Sequence, residues 1–163
     1  MVAIPSNFLH ELSSCNVSDT INIFVYGTLK PGESNYQQYC AGRVLEAKKA
    51  IAFGQLFALP FGYPALTEGE YPVQGFLLSF PDAAILRQLD LLEDFNPYKP
   101  AHHNHYHRQT IETYNTSFVS LGLAWVYFMT PKQVYFLDGV FLLDGCWSGS
   151  GLDPESTEID TLI

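Results

Sequence analysis

Glu93 closes a leucine-rich segment, Ile85-Leu86-Arg87-Gln88-Leu89-Asp90-Leu91-Leu92-Glu93, and its place there gives it chemical interest. At about 100° per residue, a helix over residues 82–94 puts Ile85, Leu86, Leu89 and Leu92 in one arc, with Arg87 and Asp94 opposite. Glu93 falls inside the apolar arc, between Leu89 and Leu86. A carboxylate in such a place is costly unless it is paired or protonated. Burial also raises its pKa toward the range useful for acid–base work at neutral pH. The same pattern is met by a last-turn glutamate that turns out to solvent. Asp90, beside Leu86 at the edge of the arc, is the competing carboxylate and is read as a capping or structural residue.

A second signal lies in the main chain. Ile21-Asn22-Ile23-Phe24-Val25-Tyr26 is a short, continuous run of β-branched and aromatic residues, the pattern of a strand buried on both faces. It stops at Gly27, and Pro31-Gly32 follows as a turn. Such a strand end brings bare backbone N–H groups to the rim of the core, where a negatively charged ligand can meet them. An ordinary first strand followed by a turn gives the same pattern. Tyr26 and Tyr106 offer hydroxyls able to orient a substrate or Glu93, although in a chain with ten tyrosines the usual role is a core ring. His102, His103, His105 and His107 form a tract of a kind that can bind zinc or nickel. Pro97 and Pro100 precede it, no cysteine is near and no helical His-x-x-x-His spacing is present, His103 and His107 falling outside any predicted helix, so it reads as a solvated loop.

These groups need a frame. Pro81 and Asp82 suit the start of the Glu93 helix, through a fixed φ and a negative charge. A short helix is predicted over residues 35–41, capped by Ser34 or Asn35 and ended by Gly42. Strand patterns dominate elsewhere: residues 44–59 with a bulge or close approach at Gly54, a turn over residues 61–65 leading into a short strand, and residues 73–80 introduced by Pro72. Residues 106–114 and 121–129 form a pair joined by Asn115-Thr116-Ser117. Many strands with few helices predict an α+β fold, a mixed sheet curled into a barrel with flanking helices. Residues 1–20 read as an N-terminal extension with a turn of helix near residues 8–12. Residues 21–150 read as one domain, and residues 151–163 as an acidic C-terminal tail.

Composition narrows the function. The 163 residues fit a single domain, and 47% hydrophobic content is that of a globular protein. A formal net charge of −9 opposes binding to nucleic acid or to an anionic membrane. No apolar run approaches the roughly 20 residues of a membrane helix, and the N-terminus lacks the order of a signal peptide. Cys15, Cys40 and Cys146 suggest neither a disulfide framework nor a zinc site, so a cytoplasmic protein is expected.

The stretch Val25-Tyr26-Gly27-Thr28-Leu29-Lys30-Pro31-Gly32 resembles the opening signature of the gamma-glutamylcyclotransferase superfamily, including its AIG2-like and gamma-glutamylamine cyclotransferase branches. Tyr63-Pro64-Ala65, Leu89-Asp90-Leu91-Leu92-Glu93, Tyr106-His107-Arg108, Ala124-Trp125-Val126-Tyr127 and Gly145-Cys146-Trp147 fall in the family's order, so the likeness runs from about residue 21 to residue 147. The resemblance implies that Glu93 is the catalytic acid–base, and that Tyr26, Gly27, Thr28, Leu29 and Tyr106 bind substrate. Backbone N–H groups of Gly27, Thr28 and Leu29 would meet the substrate carboxylate or a developing oxyanion. The implied reaction is closure of a γ-glutamyl amine or amino acid to 5-oxoproline, with no metal and no cofactor, in a monomer or weak homodimer. Two other readings share the pocket: removal of a γ-glutamyl protecting group in a biosynthetic pathway, and a binding or regulatory protein without turnover. Two departures bear on substrate. Phe76 stands where relatives commonly carry Glu, and Asp94 where Gly often follows the catalytic Glu. The long stretch 94–104 is expected to cover or shape the pocket mouth.

Overall fold

The computed structural model describes residues 19–149. The turn of helix expected near residues 8–12, most of the N-terminal extension and the acidic tail lie outside the described residues. Those residues form β1 (Ile21–Val25), α1 (Tyr36–Tyr39), β2 (Glu46–Ala58), β3 (Pro64–Phe80), α2 (Ala84–Leu92), β4 (His107–Tyr114), β5 (Ser120–Phe128), α3 (Pro131–Phe136) and β6 (Val140–Phe141), with a 3-10 turn at Ala101–His103. The strands run in the order β3-β1-β5-β4-β2, and β2 pairs back onto β3, which closes a five-stranded barrel. The two-residue β6 extends the sheet at Phe57 and Ala58 of β2. The fold is the α+β barrel that the strand patterns predict.

β1 is central to it. It runs antiparallel to β3, with Phe24 opposite Leu77, and parallel to β5, with Ile23 opposite Trp125. Its side chains alternate between two cores. Phe24 and Tyr26 pack with Ala50, Ala52, Leu56, Val73 and Val126 in the barrel interior. Ile23 and Val25 pack with Leu78, Leu86 and Leu89, on the face covered by α2. A barrel of so few strands is narrow, so large rings need small neighbours. A Cβ on Gly75 would lie 2.8 Å from the Phe24 ring and 2.3 Å from the Val25 carbonyl oxygen.

β3 is one strand of 17 residues where two shorter ones are expected from the sequence. Pro72 reads as the start of the second of these. In the fold, Gly54 pairs with Tyr71 and Gln55 with Thr67, so Glu68-Gly69-Glu70 form a bulge while the ladder continues on either side, with Pro72 opposite Phe53. The expected irregularity at Gly54 falls there. α3 and β6 go unpredicted. Thr130 and Gln133 form a full capping box with Pro131 in the first turn of α3, a start signal that six helical residues do not extend into a readable period.

α2 buries Ile85, Leu86 and Leu89, as the arc predicts, and leaves Leu91 83% exposed. Its N-terminus is held by the Asp82 carboxylate, which accepts from the Ala84 N–H at 2.8 Å. Its C-terminus closes in a Schellman turn. The Phe95 N–H donates to the Asp90 carbonyl at 2.8 Å and the Asp94 N–H to that of Leu91 at 3.4 Å. Asp94 takes the left-handed φ of +48° that glycine usually fills, a conformation Asp tolerates better than most residues.

Candidate active site

A cleft of about 370 Å³ opens where β1 ends, and Tyr26, Gly27, Thr28, Leu29, Glu93 and Tyr106 all line it. The structure therefore brings together every residue that the sequence assigns to the site. Glu93 is the residue that closes α2, and two anchors hold that helix end from behind. Asp90 accepts from the Tyr127 hydroxyl at 2.7 Å and lies 3.0 Å from Arg108 Nε. The Arg108 guanidinium sits over the Trp125 ring, 4.8 Å from its centroid, and 5.7 Å from that of Phe95. Asp90 is thus the structural carboxylate of the pair.

No salt bridge among the described residues reaches Glu93. Burial alone raises its pKa, from 4.5 to about 7. A carboxyl poised there exchanges protons readily in either direction near neutrality. Its charge is felt by its neighbours: Tyr26, Tyr63 and Tyr106 all have hydroxyl pKa values raised by burial first and by Glu93 as well.

Opposite lies the turn after β1. The Lys30 N–H donates to the Gly27 carbonyl at 3.0 Å, and the Asn35 N–H to the Thr28 carbonyl at 2.9 Å. The Asn35 side-chain amide also donates to the Thr28 hydroxyl at 2.9 Å, so Asn35 braces the turn where a helix cap is expected. Among the described residues, the N–H groups of Gly27, Thr28 and Leu29 have no acceptor. They form a row of free donors on a cleft wall, the arrangement that suits an anion. Gly27 is glycine for a reason of space. Its φ is not positive, and a Cβ would lie 2.6 and 2.8 Å from Pro64 ring carbons.

The two predicted tyrosines have committed protons. The Tyr26 hydroxyl donates to the Tyr127 carbonyl at 2.6 Å, and the Tyr106 hydroxyl to the Pro64 carbonyl at 2.7 Å. Both residues line the cleft with their hydroxyl protons bound to main-chain carbonyls. Among the lining residues that sequence reasoning does not assign to the site are Tyr63 and His105, whose hydroxyl and Nε2 lie 3.2 Å apart. His105 and His107 depart from the solvated-loop expectation, both half-buried and His107 opening β4, whereas His102 and His103 are exposed. Burial lowers the His105 pKa, against an opposing effect of Asp94. Its N–H donates to the Asp94 carbonyl at 3.1 Å, tying the loop to the residue after Glu93. Its residue type does not separate it from its exposed neighbours. Tyr63 is signalled only by the Tyr63-Pro64 element. No group of three or more His, Cys, Asp or Glu suited to a metal ion occurs among the described residues.

A barrel whose β1 ends in free donors facing a desolvated glutamate is an arrangement fit for acyl transfer. The family model of gamma-glutamyl cyclotransferase, AIG2-like proteins matches residues 23–149, and the chain belongs to that family. A Vibrio cholerae protein whose name assigns it provisionally to the gamma-glutamylcyclotransferases is 39% identical over 108 residues, spanning 64% of this chain and 78% of that protein. Among solved structures, an AIG2-like protein from Mus musculus superposes with a TM-score of 0.54 at 22% identity, over 79% of this chain and 88% of that one. YkqA from Bacillus subtilis superposes with a TM-score of 0.55 at 24% identity over 78% of this chain, which spans only 39% of YkqA. These structural likenesses concern the fold.

Proposed function

We propose that this chain is a cyclotransferase that closes a γ-glutamyl amine or γ-glutamyl amino acid to 5-oxoproline and releases the free amine, with Glu93 as acid–base. The observation that carries this reading is the desolvated Glu93 carboxyl, with a pKa near 7, across one cleft from the free N–H groups of Gly27, Thr28 and Leu29.

The α-amine of such a substrate is mostly protonated at neutral pH and cannot attack in that form. Glu93 takes one proton. The freed amine attacks the side-chain amide carbonyl, forming the lactam C–N bond and an oxyanion. Glu93 then returns its proton to the departing nitrogen as the old C–N bond breaks. The second proton of the attacking nitrogen passes to the released amine, so the amide and ammonium become a lactam and an ammonium. The row of N–H donors holds the substrate carboxylate or the oxyanion. The walls of the cleft hold the substrate bent, with the ring-closing atoms already close. A cytoplasmic site of action goes with this reading, and no helix among the described residues is long and apolar enough to cross a membrane.

The test is a panel of γ-glutamyl amines and γ-glutamyl amino acids, with 5-oxoproline followed by mass spectrometry. Release from at least one compound by wild type and by no Glu93→Gln sample is expected. Binding without release across the panel would favour a protein that keeps the pocket without turnover.

A further inference from the structure

The residue that follows the row of donors points away from the Glu93 cleft. Lys30 is only 9% exposed, and its ammonium donates to the Trp147 carbonyl. An ammonium carries three N–H donors and a full charge, and one peptide carbonyl answers a third of the first and none of the second. Neither salt bridge among the described residues involves it. Holding the Trp147 segment in place accounts for that single bond. It leaves unexplained why a cation rather than a neutral donor is buried there.

Lys30 lines a second cleft, of about 310 Å³, which shares no lining residue with the first. Lys49 of β2 lines it too, with Gln74 of β3, Thr116 of the β4–β5 turn and Cys146. Ile51 and Phe76 supply an apolar wall. No carboxylate is among its lining residues, although the chain carries 17 acidic residues against 8 basic ones. Two cations from separate segments, one of them nearly buried, therefore line one concave surface with no carboxylate in its lining, the Asp144 carboxylate behind Cys146 being held by the Cys146 N–H at 3.1 Å. Such a place concentrates anions even on an acidic protein.

We propose that this second cleft binds a small organic anion, a carboxylate or phosphate monoester on an apolar or aromatic body. Lys30 and Lys49 hold the charge, Gln74 and Thr116 supply neutral hydrogen bonds, and Ile51 and Phe76 cover the body. The site is separate from the acid–base cleft and does not depend on the proposed reaction.

Calorimetric titration of the full chain with benzoate and with phenyl phosphate tests this. Both probes carry an aromatic body, and the tighter one identifies the charged group. Wild type should bind at least one of them, and Lys49→Gln should weaken that binding roughly tenfold. Lys49 is exposed, so this variant should fold. Lys48→Gln, on the adjacent residue with the same change in net charge, should bind like wild type. So should Glu93→Gln, which alters only the first cleft. Lys30→Met keeps most of the length of the side chain without its charge and, where it folds, should abolish binding. Three results would overturn the site: no binding of either probe at millimolar concentration, equal losses in Lys48→Gln and Lys49→Gln, or binding altered by Glu93→Gln and not by Lys49→Gln.

Discussion

Replacing Glu93 by glutamine should leave the protein inactive and, at alkaline pH, more stable. Burial moves the Glu93 carboxyl from 4.5 to about 7. At about 1.36 kcal/mol per pKa unit, that displacement corresponds to roughly 3 kcal/mol. The residue keeps some solvent exposure, and screening brings the figure to about 2 kcal/mol. The folded-state value lies above the unfolded one, so on raising the pH the unfolded chain gives up its proton first. Stability is therefore full below about 4.5, falls as the pH rises toward about 7 and stays lower beyond it. Glutamine, neutral throughout, has no such loss. Glu93→Gln should match wild type near pH 4 and exceed it by about 2 kcal/mol near pH 8, a melting shift of roughly 4–8 °C. Turnover should fall roughly 100-fold or more, because the size and polarity of the side chain remain but its basic oxygen is gone. Circular dichroism melts across that pH range, with 5-oxoproline release measured on the same samples, give both readouts. A stability gap that does not widen with pH would refute the desolvated carboxyl. Activity within a few-fold of wild type in a folded variant would refute its role.

Gly27→Ala should cost about 1–3 kcal/mol through collision with the Pro64 ring, and Pro64→Ala in the same chain should recover most of it; additive losses in denaturant melts would show that Pro64 is not the obstacle. Asp94→Gly should raise stability by about 0.5 kcal/mol, relief of left-handed strain being partly offset by unfolded-chain entropy, while Asp94→Val should lower it; urea midpoints decide. Asp90→Asn should destabilise by about 1–3 kcal/mol by leaving the Arg108 cation uncompensated between its aromatic rings. A shift of the Glu93 helix end should lower kcat in the same variant, and unchanged kcat would show that this end holds its place without Asp90.

Much of the site was legible because it is built from local patterns. The strand, the glycine that ends it and the glutamate within an apolar arc are all short-range signals, and each residue they named lines one cleft. What was not legible depends on distant chain. β3 reads as two strands because Pro72 looks like a strand start until β2 is laid beside it. Tyr63 and His105 are more than forty residues apart, and only the fold brings hydroxyl and imidazole together. The reason for Gly27 is likewise non-local, since the crowding atom belongs to Pro64. The protons of Tyr26 and Tyr106 are claimed by carbonyls on other strands, which side-chain chemistry alone could not indicate. The Asp94 departure, by contrast, is explained locally, by the φ of the Schellman turn.

The parallel pairing of β1 with β5 fixes the order in which the site can be completed during synthesis. β1 leaves the ribosome early, yet its partner residue for Ile23 is Trp125, and the carbonyl that receives the Tyr26 hydroxyl lies 101 residues further along. The donor turn thus stays on an unfinished edge while β2, β3 and α2 emerge, and Glu93 has no fixed wall to face. Such distant closure slows folding, and it leaves the candidate cleft incomplete in any partly made chain. A chain stopped before Ser120 should show no cooperative melting transition and release no 5-oxoproline, and the last strand of the barrel then sets when the proposed site is complete.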